Sequence, residues 1–124
     1  MKLKIDNSSI SQLFSLVQQV QEVKQMICGQ ETILEQVLDE VAEARREQGM
    51  IEIEVGNRAK NLKEGSMEAL QELLHVQWRQ QEAAKKVATC EMKKAGVEAN
   101  LSLLDTELVG YQKEIDAVLQ GHKA

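Results

Sequence analysis

Apolar residues recur every three or four positions along most of this chain, and the recurrence divides into two long seams. The first passes through Leu13, Leu16, Val20, Val23, Ile27, Gln30, Leu34, Val37, Val41, Ala44, Gln48, Ile51 and Val55, interrupted only by Gln30 and Gln48. The second passes through Ala69, Leu73, Val76, Gln80, Ala83, Val87, Cys90, Lys94, Val97, Leu101, Leu104, Leu108, Tyr111, Ile115 and Val118. Alternating steps of three and four keep one stripe on one side of a helix, the pattern of a coiled-coil seam. The spacing predicts a first helix over residues 9–62 and a second over 67–120. A turn at 63–66 separates them, with a flexible segment at 1–8 and a tail at 121–124.

Local signals place the ends. Ser9 followed by Gln12 has the spacing of a capping box, in which a hydroxyl and an amide satisfy the first free N–H groups of a helix. Gly65 suits a left-handed helix end, Ser66 suits the next N-cap, and Gly121 suits a terminator. Residues 49–56 carry the opposing signal: a β-favouring run lies between Gly49 and Gly56, and each glycine costs a helix interior about 1 kcal/mol relative to alanine. A break, bend or strand therefore competes with helix there. Ile51 and Val55 nevertheless keep the phase of the seam, which a strand would lose, so the pattern predicts helix with its weakest point at these residues.

Each seam covers about 50 residues, roughly 75 Å of helix, and both flank one short turn. The expected fold is all-α: a long antiparallel helical hairpin (coiled coil), forming part of a larger helical bundle. Turning near Gly65 sets Val41 opposite Cys90, Leu34 opposite Val97 and Ala44 opposite Val87. Charge gives an independent check on this register, because antiparallel coiled coils bring one set of flanking positions face to face. Those positions hold Glu40, Glu47 and Glu54 on the first helix and Lys93, Lys86 and Arg79 on the second, three pairs of opposite sign. On the other edge Lys24 meets Asp105, while Glu31 meets Glu98, a mismatch. Exposed pairs of this kind select register and orientation more than they stabilise. A parallel homodimer is the competing arrangement, since Lys86 with Glu91 and Lys93 with Glu98 also suit it.

A two-helix hairpin buries one seam per helix, yet further apolar residues lie outside the seams. Ile10, Phe14 and Val17 join Leu103, Val109 and Leu119, and the second helix adds small residues at Ala84, Ala88, Ala95 and Ala99 around Met92. Ile10, Phe14, Val17, Ala88, Met92, Ala95 and Ala99 are candidate partner-binding positions, where another helix could approach closely. The bland alternative is that surface alanines only favour helix. Trp78 is either an interface anchor or a ring lying along its own helix.

Composition agrees with this reading. Proline is absent, only Phe14, Trp78 and Tyr111 are aromatic, and the net charge is -5. That balance argues against a chain that wraps nucleic acid. No apolar run is long enough to cross a bilayer, and Met1 to Lys4 is followed by polar residues rather than a signal core. Direct membrane insertion is not expected, and an intracellular location, cytoplasmic or nuclear, is. Cys28 and Cys90 have no metal or disulfide spacing, and although Cys28 next to Gly29 could suggest a reactive thiol, its apolar neighbours Met26 and Ile27 favour an ordinary buried cysteine. His75 and His122 lack a catalytic or metal-binding arrangement, and the carboxylates follow the heptads as a solvated face. Lys85, Lys86, Lys93 and Lys94 could touch phosphate, but their complementarity to the first helix accounts for them more simply. No catalytic residue, metal ligand or cofactor is expected.

The function these features suggest is a non-enzymatic structural or scaffold subunit of a multi-protein intracellular complex. Its partners would be other helical or coiled-coil proteins in a hetero-oligomer, such as cytoskeletal, kinetochore, ciliary and vesicle-tethering machinery all use. The alternative is a chaperone or export adaptor that holds clients through exposed apolar helix faces.

Overall fold

The computed structural model describes residues 7–62 and 66–121. It is an all-α hairpin of two long helices packed against each other, α1 (Asn7–Lys60) and α2 (Met67–Gly121), with no strand among the described residues. Residues 49–56 are helical throughout. The seam explains why: Ile51 and Val55 are half-buried, so leaving the helix would return them to water. A β-favouring composition yields to tertiary packing here.

The helix ends differ from the capping signals at one place and match them at another. α1 begins at Asn7, so Ser9 lies inside the helix and is 9% exposed. The step from Ser9 to Leu13 continues the three-four spacing backwards, which puts Ser9 on the seam side of α1. Asn7 and Ser8, expected in a flexible segment, are helical. Near its other end α1 tightens, with Asn61 N–H donating to the Asn57 carbonyl at 3.1 Å and Leu62 N–H to the Ala59 carbonyl at 3.4 Å. Arg58 and Lys60 in the last turn suit the negative end of the helix dipole. Ser66 then starts α2: its Oγ accepts from Ala69 N–H at 3.1 Å, and its carbonyl accepts from Leu70 N–H at 3.1 Å. The expected roles of Gly65 and of the tail at 122–124 lie outside the described residues.

The chain forms two compact units, each taking a segment from both helices. In unit 1, residues up to Ile33 with those from Val97, the seam is Leu16 and Val23, each 6% exposed, with half-buried Leu13, Val20, Ile27, Val97, Leu101, Leu104, Leu108, Tyr111, Ile115 and Val118. No ion pair forms in unit 1 among the described residues. That includes the expected contact of Lys24 with Asp105. Both are exposed, and an exposed pair gains too little to hold two long side chains in one geometry.

In unit 2, Leu34–Gly96, the tightest packing is a cluster of Val37, Val41, Ala44 and Cys90, with Val87 against it. Ala44 is 1% exposed, the most buried of the four. The cluster unites the Val41/Cys90 and Ala44/Val87 layers. Val76 and Ala83 are also buried, while Leu34, Leu73, Ile51 and Val55 are half-buried. Burying a valine from water contributes about 1.5–3 kcal/mol, so this short cluster outweighs any single surface pair.

Candidate partner-binding surface

The charged edge of unit 2 is built directly on the heptad positions. Glu40 meets Lys93 at 3.8 Å, Lys86 Nζ donates to Glu47 Oε2 at 3.1 Å, and Arg79 Nη1 reaches both Glu54 oxygens at 3.2 and 3.4 Å. Each pair joins α1 to α2. The Glu47 hydrogen bond, reinforced by its charge, holds the Lys86 ammonium above the ordinary lysine range, with smaller help from Glu43 and Cys90 against a weak desolvation cost.

Further ion pairs lie beside these three. Arg45 pairs with Glu91 across the helices, on the opposite edge. Arg58 pairs with Glu72 at 2.5 Å while its Nε lies 3.6 Å from Glu54 within α1, and Lys85 pairs with Glu82 at 3.3 Å. Heptad reasoning did not find the first two: Glu91 lies about one turn beyond the residue that faces Arg45, and Arg58 and Glu72, which do face each other, lie outside the flanking positions compared.

Along the same edge run shallow grooves. One, of about 480 Å³, is lined by Met50, Ile51, Trp78, Ala83 and the charged residues Glu47, Arg79, Glu82 and Lys86. Trp78 is 56% exposed and stacks on His75 of its own helix, with ring centroids 6.2 Å apart and planes 18° apart. It therefore lies along its helix and leaves most of its indole open beside the groove.

The candidate partner-binding residues are all on the outside. Ile10, Phe14 and Val17 are 52%, 75% and 46% exposed on one face of α1 in unit 1, where Leu103, Val109 and Ala99 of α2 are exposed as well and Leu119 is half-buried. In unit 2, Met92 is 76% exposed, and Ala84, Ala88 and Ala95 are exposed with it. Sequence reasoning passed over several equally exposed apolar residues, among them Met26, Ile33, Leu38, Met50, Ile53, Met67, Leu70 and Leu74. Their signal was present: each is a large apolar residue off the seam.

Two expectations are tested at the chemically reactive residues. Cys28 is exposed, not buried. It sits one position past the seam residue Ile27, and a single step around a helix turns a side chain by about 100°, away from the facing helix. Cys90, on the seam, is buried, and both thiols are free. Among the described residues no group of three or more histidine, cysteine or carboxylate side chains could hold a metal ion, and no helix is long and apolar enough to cross a membrane. His122 lies outside the described residues.

No family model matches the chain. No curated protein and no solved structure matches it either.

Proposed function

We propose that this chain is a non-enzymatic coiled-coil subunit that gives structure to a multi-protein intracellular complex, acting by helix-to-helix association. The observation that carries this reading is the set of large apolar side chains outside the seams, with Phe14, Ile53, Met92 and Leu103 each at least two-thirds exposed or close to it: 75%, 66%, 76% and 66%. Isolated surface leucines need no explanation, whereas aligned apolar residues such as Ile10, Phe14 and Val17 are what a helix presents to another helix. In this mechanism the seams make the hairpin, the Glu–Lys and Glu–Arg edge selects its register, and the outer apolar residues recruit partners.

The test is gentle recovery of the tagged chain from its native cell, with the stoichiometry of its companions measured. A fixed, equimolar set of helical proteins supports the proposal. Replacing Met92 by glutamine, at 76% exposure, is expected to release one or more of them without loss of helicity, and an unaltered assembly would count against the face that carries it.

A second reading, a chaperone or export adaptor, is favoured by a different observation. Met26, Met50, Met67 and Met92 are all more than half exposed. Methionine is flexible and polarizable, and surfaces rich in it adapt to varied sequences. Recovery of a changing mixture of weakly held clients would favour this reading over the scaffold.

A further inference from the structure

We propose that the face of α1 carrying Ile10, Phe14 and Val17 is covered by the same face of a second copy of this chain, the two segments crossing antiparallel about a two-fold axis near Phe14. The inference rests on the reading of this face as a helix-docking surface and names its occupant.

Two independent observations converge on the segment. Ile10, Phe14 and Val17 stand at steps of four and three, so they form a single stripe, and all three are exposed. Residues 7–21, NSSISQLFSLVQQVQ, contain no aspartate, glutamate, lysine or arginine, in a chain of which 28% is charged. At that density a stretch of this length would hold about four charges. Charge keeps an exposed helix face in water, and its depletion around an aromatic residue is the compositional mark of a covered surface. The shoulders of the stripe are serine and glutamine, which both donate and accept hydrogen bonds and so can pair with copies of themselves.

The same absence of charge selects a second copy over an unrelated partner. A two-fold interface sets a patch against itself, so charge on the patch meets like charge unless it is symmetrically balanced. Residues 7–21 avoid that cost altogether. A partner of different sequence would ordinarily be chosen by complementary charge, and this face has none to read. Orientation follows from the neighbouring residues. Parallel self-pairing along this edge would set Lys24 beside Lys24 and Glu31 beside Glu31, whereas an antiparallel crossing near Phe14 keeps the contact within the uncharged turns.

Size sets the expected strength. Fifteen helical residues span about 22 Å, and two helices in contact over that length bury on the order of 1,000 Å² in total, the low end of specific interfaces. A reversible dimer with a dissociation constant in the micromolar range follows. A lipid surface fits less well. Leu13, Leu16 and Val20 are turned into the seam, which leaves a three-residue stripe too narrow for the broad apolar face of an interfacial helix.

The experiment is sedimentation velocity on the purified full chain from about 1 to 500 µM, with helicity followed by circular dichroism. The expected result is a monomer–dimer equilibrium that Phe14→Glu weakens by thirtyfold or more, the scale of losing a buried aromatic anchor, and that Trp78→Ala leaves unchanged. Antiparallel crossing sets residue 10 of one copy near residue 17 of the other. The double variant Ile10→Lys/Val17→Glu should therefore dimerise at least tenfold more tightly than Ile10→Glu/Val17→Glu, a comparison that holds even if Phe14→Glu perturbs folding. A chain that stays monomeric, a dimer indifferent to Phe14→Glu, or two double variants of equal affinity would each overturn the inference. So would a monomer that partitions onto neutral phosphatidylcholine vesicles, which would assign the face to lipid. A monomer recovered from cells in a fixed set of other helical proteins overturns this inference and leaves the scaffold reading standing. A Phe14-dependent dimer recovered without companions does the reverse.

Discussion

Replacing Gly49 and Gly56 by alanine is expected to stabilise the protein. Both glycines lie inside α1, neither has a positive φ, and a Cβ built at either position meets nothing within 4 Å. Neither the backbone conformation nor close packing therefore requires glycine. The remaining difference is the conformational freedom that glycine loses on entering a helix, about 1 kcal/mol per site relative to alanine. The sites are two turns apart with nothing in common near them, so their effects should add to about 2 kcal/mol. For a chain of this size that is about 6–10 °C in Tm. The assay is thermal and urea unfolding followed by helical circular dichroism, at one fixed chain concentration because the self-association proposed above would make Tm depend on concentration. A fall in stability with either single variant would refute the reasoning. It would mean that residues 49–56 leave the helix in solution, or that another backbone packs against this side.

Three further outcomes follow from the packing and the charged edge. Val41→Ala, at a residue 5% exposed, should cost about 2 kcal/mol in urea unfolding, whereas Val17→Ala, at 46%, should cost less than about 0.5 kcal/mol. Ser66→Ala should lower stability by about 1 kcal/mol through loss of the bond from Ala69 N–H, while Ser66→Gly should cost only a few tenths, both read from urea midpoints. Glu47→Lys should lower Tm and the exchange Glu47→Lys/Lys86→Glu should recover most of the loss. Because Glu47 raises the Lys86 pKa, the pair's contribution is fully present below the ordinary lysine range and disappears as pH rises through the raised value. The stability of the parent should thus fall at strongly alkaline pH more than that of Lys86→Gln; identical alkaline profiles would show that the pair contributes nothing.

The sequence by itself determined the helices, the side of each that faces inward, and the register of unit 2. These are properties of spacing: every described seam position from Leu13 to Val55 and from Ala69 to Val118 is buried or half-buried, because a three-four repeat can point in only one direction on a helix. The same phase carried the helix through residues 49–56 against local β preference. The Glu40, Glu47 and Glu54 pairs were legible for a related reason, since antiparallel geometry fixes which flanking positions meet. Only the tertiary structure decided what depends on reach and depth. It buried Ser9 within α1, two residues past the start of the described helix, where local chemistry suggested the helix start. It joined Arg45 to Glu91 but not Lys24 to Asp105, since long exposed side chains choose among rotamers that differ by little energy. It laid Trp78 on His75, and it left Cys28 outside. Periodicity says which way a side chain points; how much of it stays in water depends on what the facing helix covers.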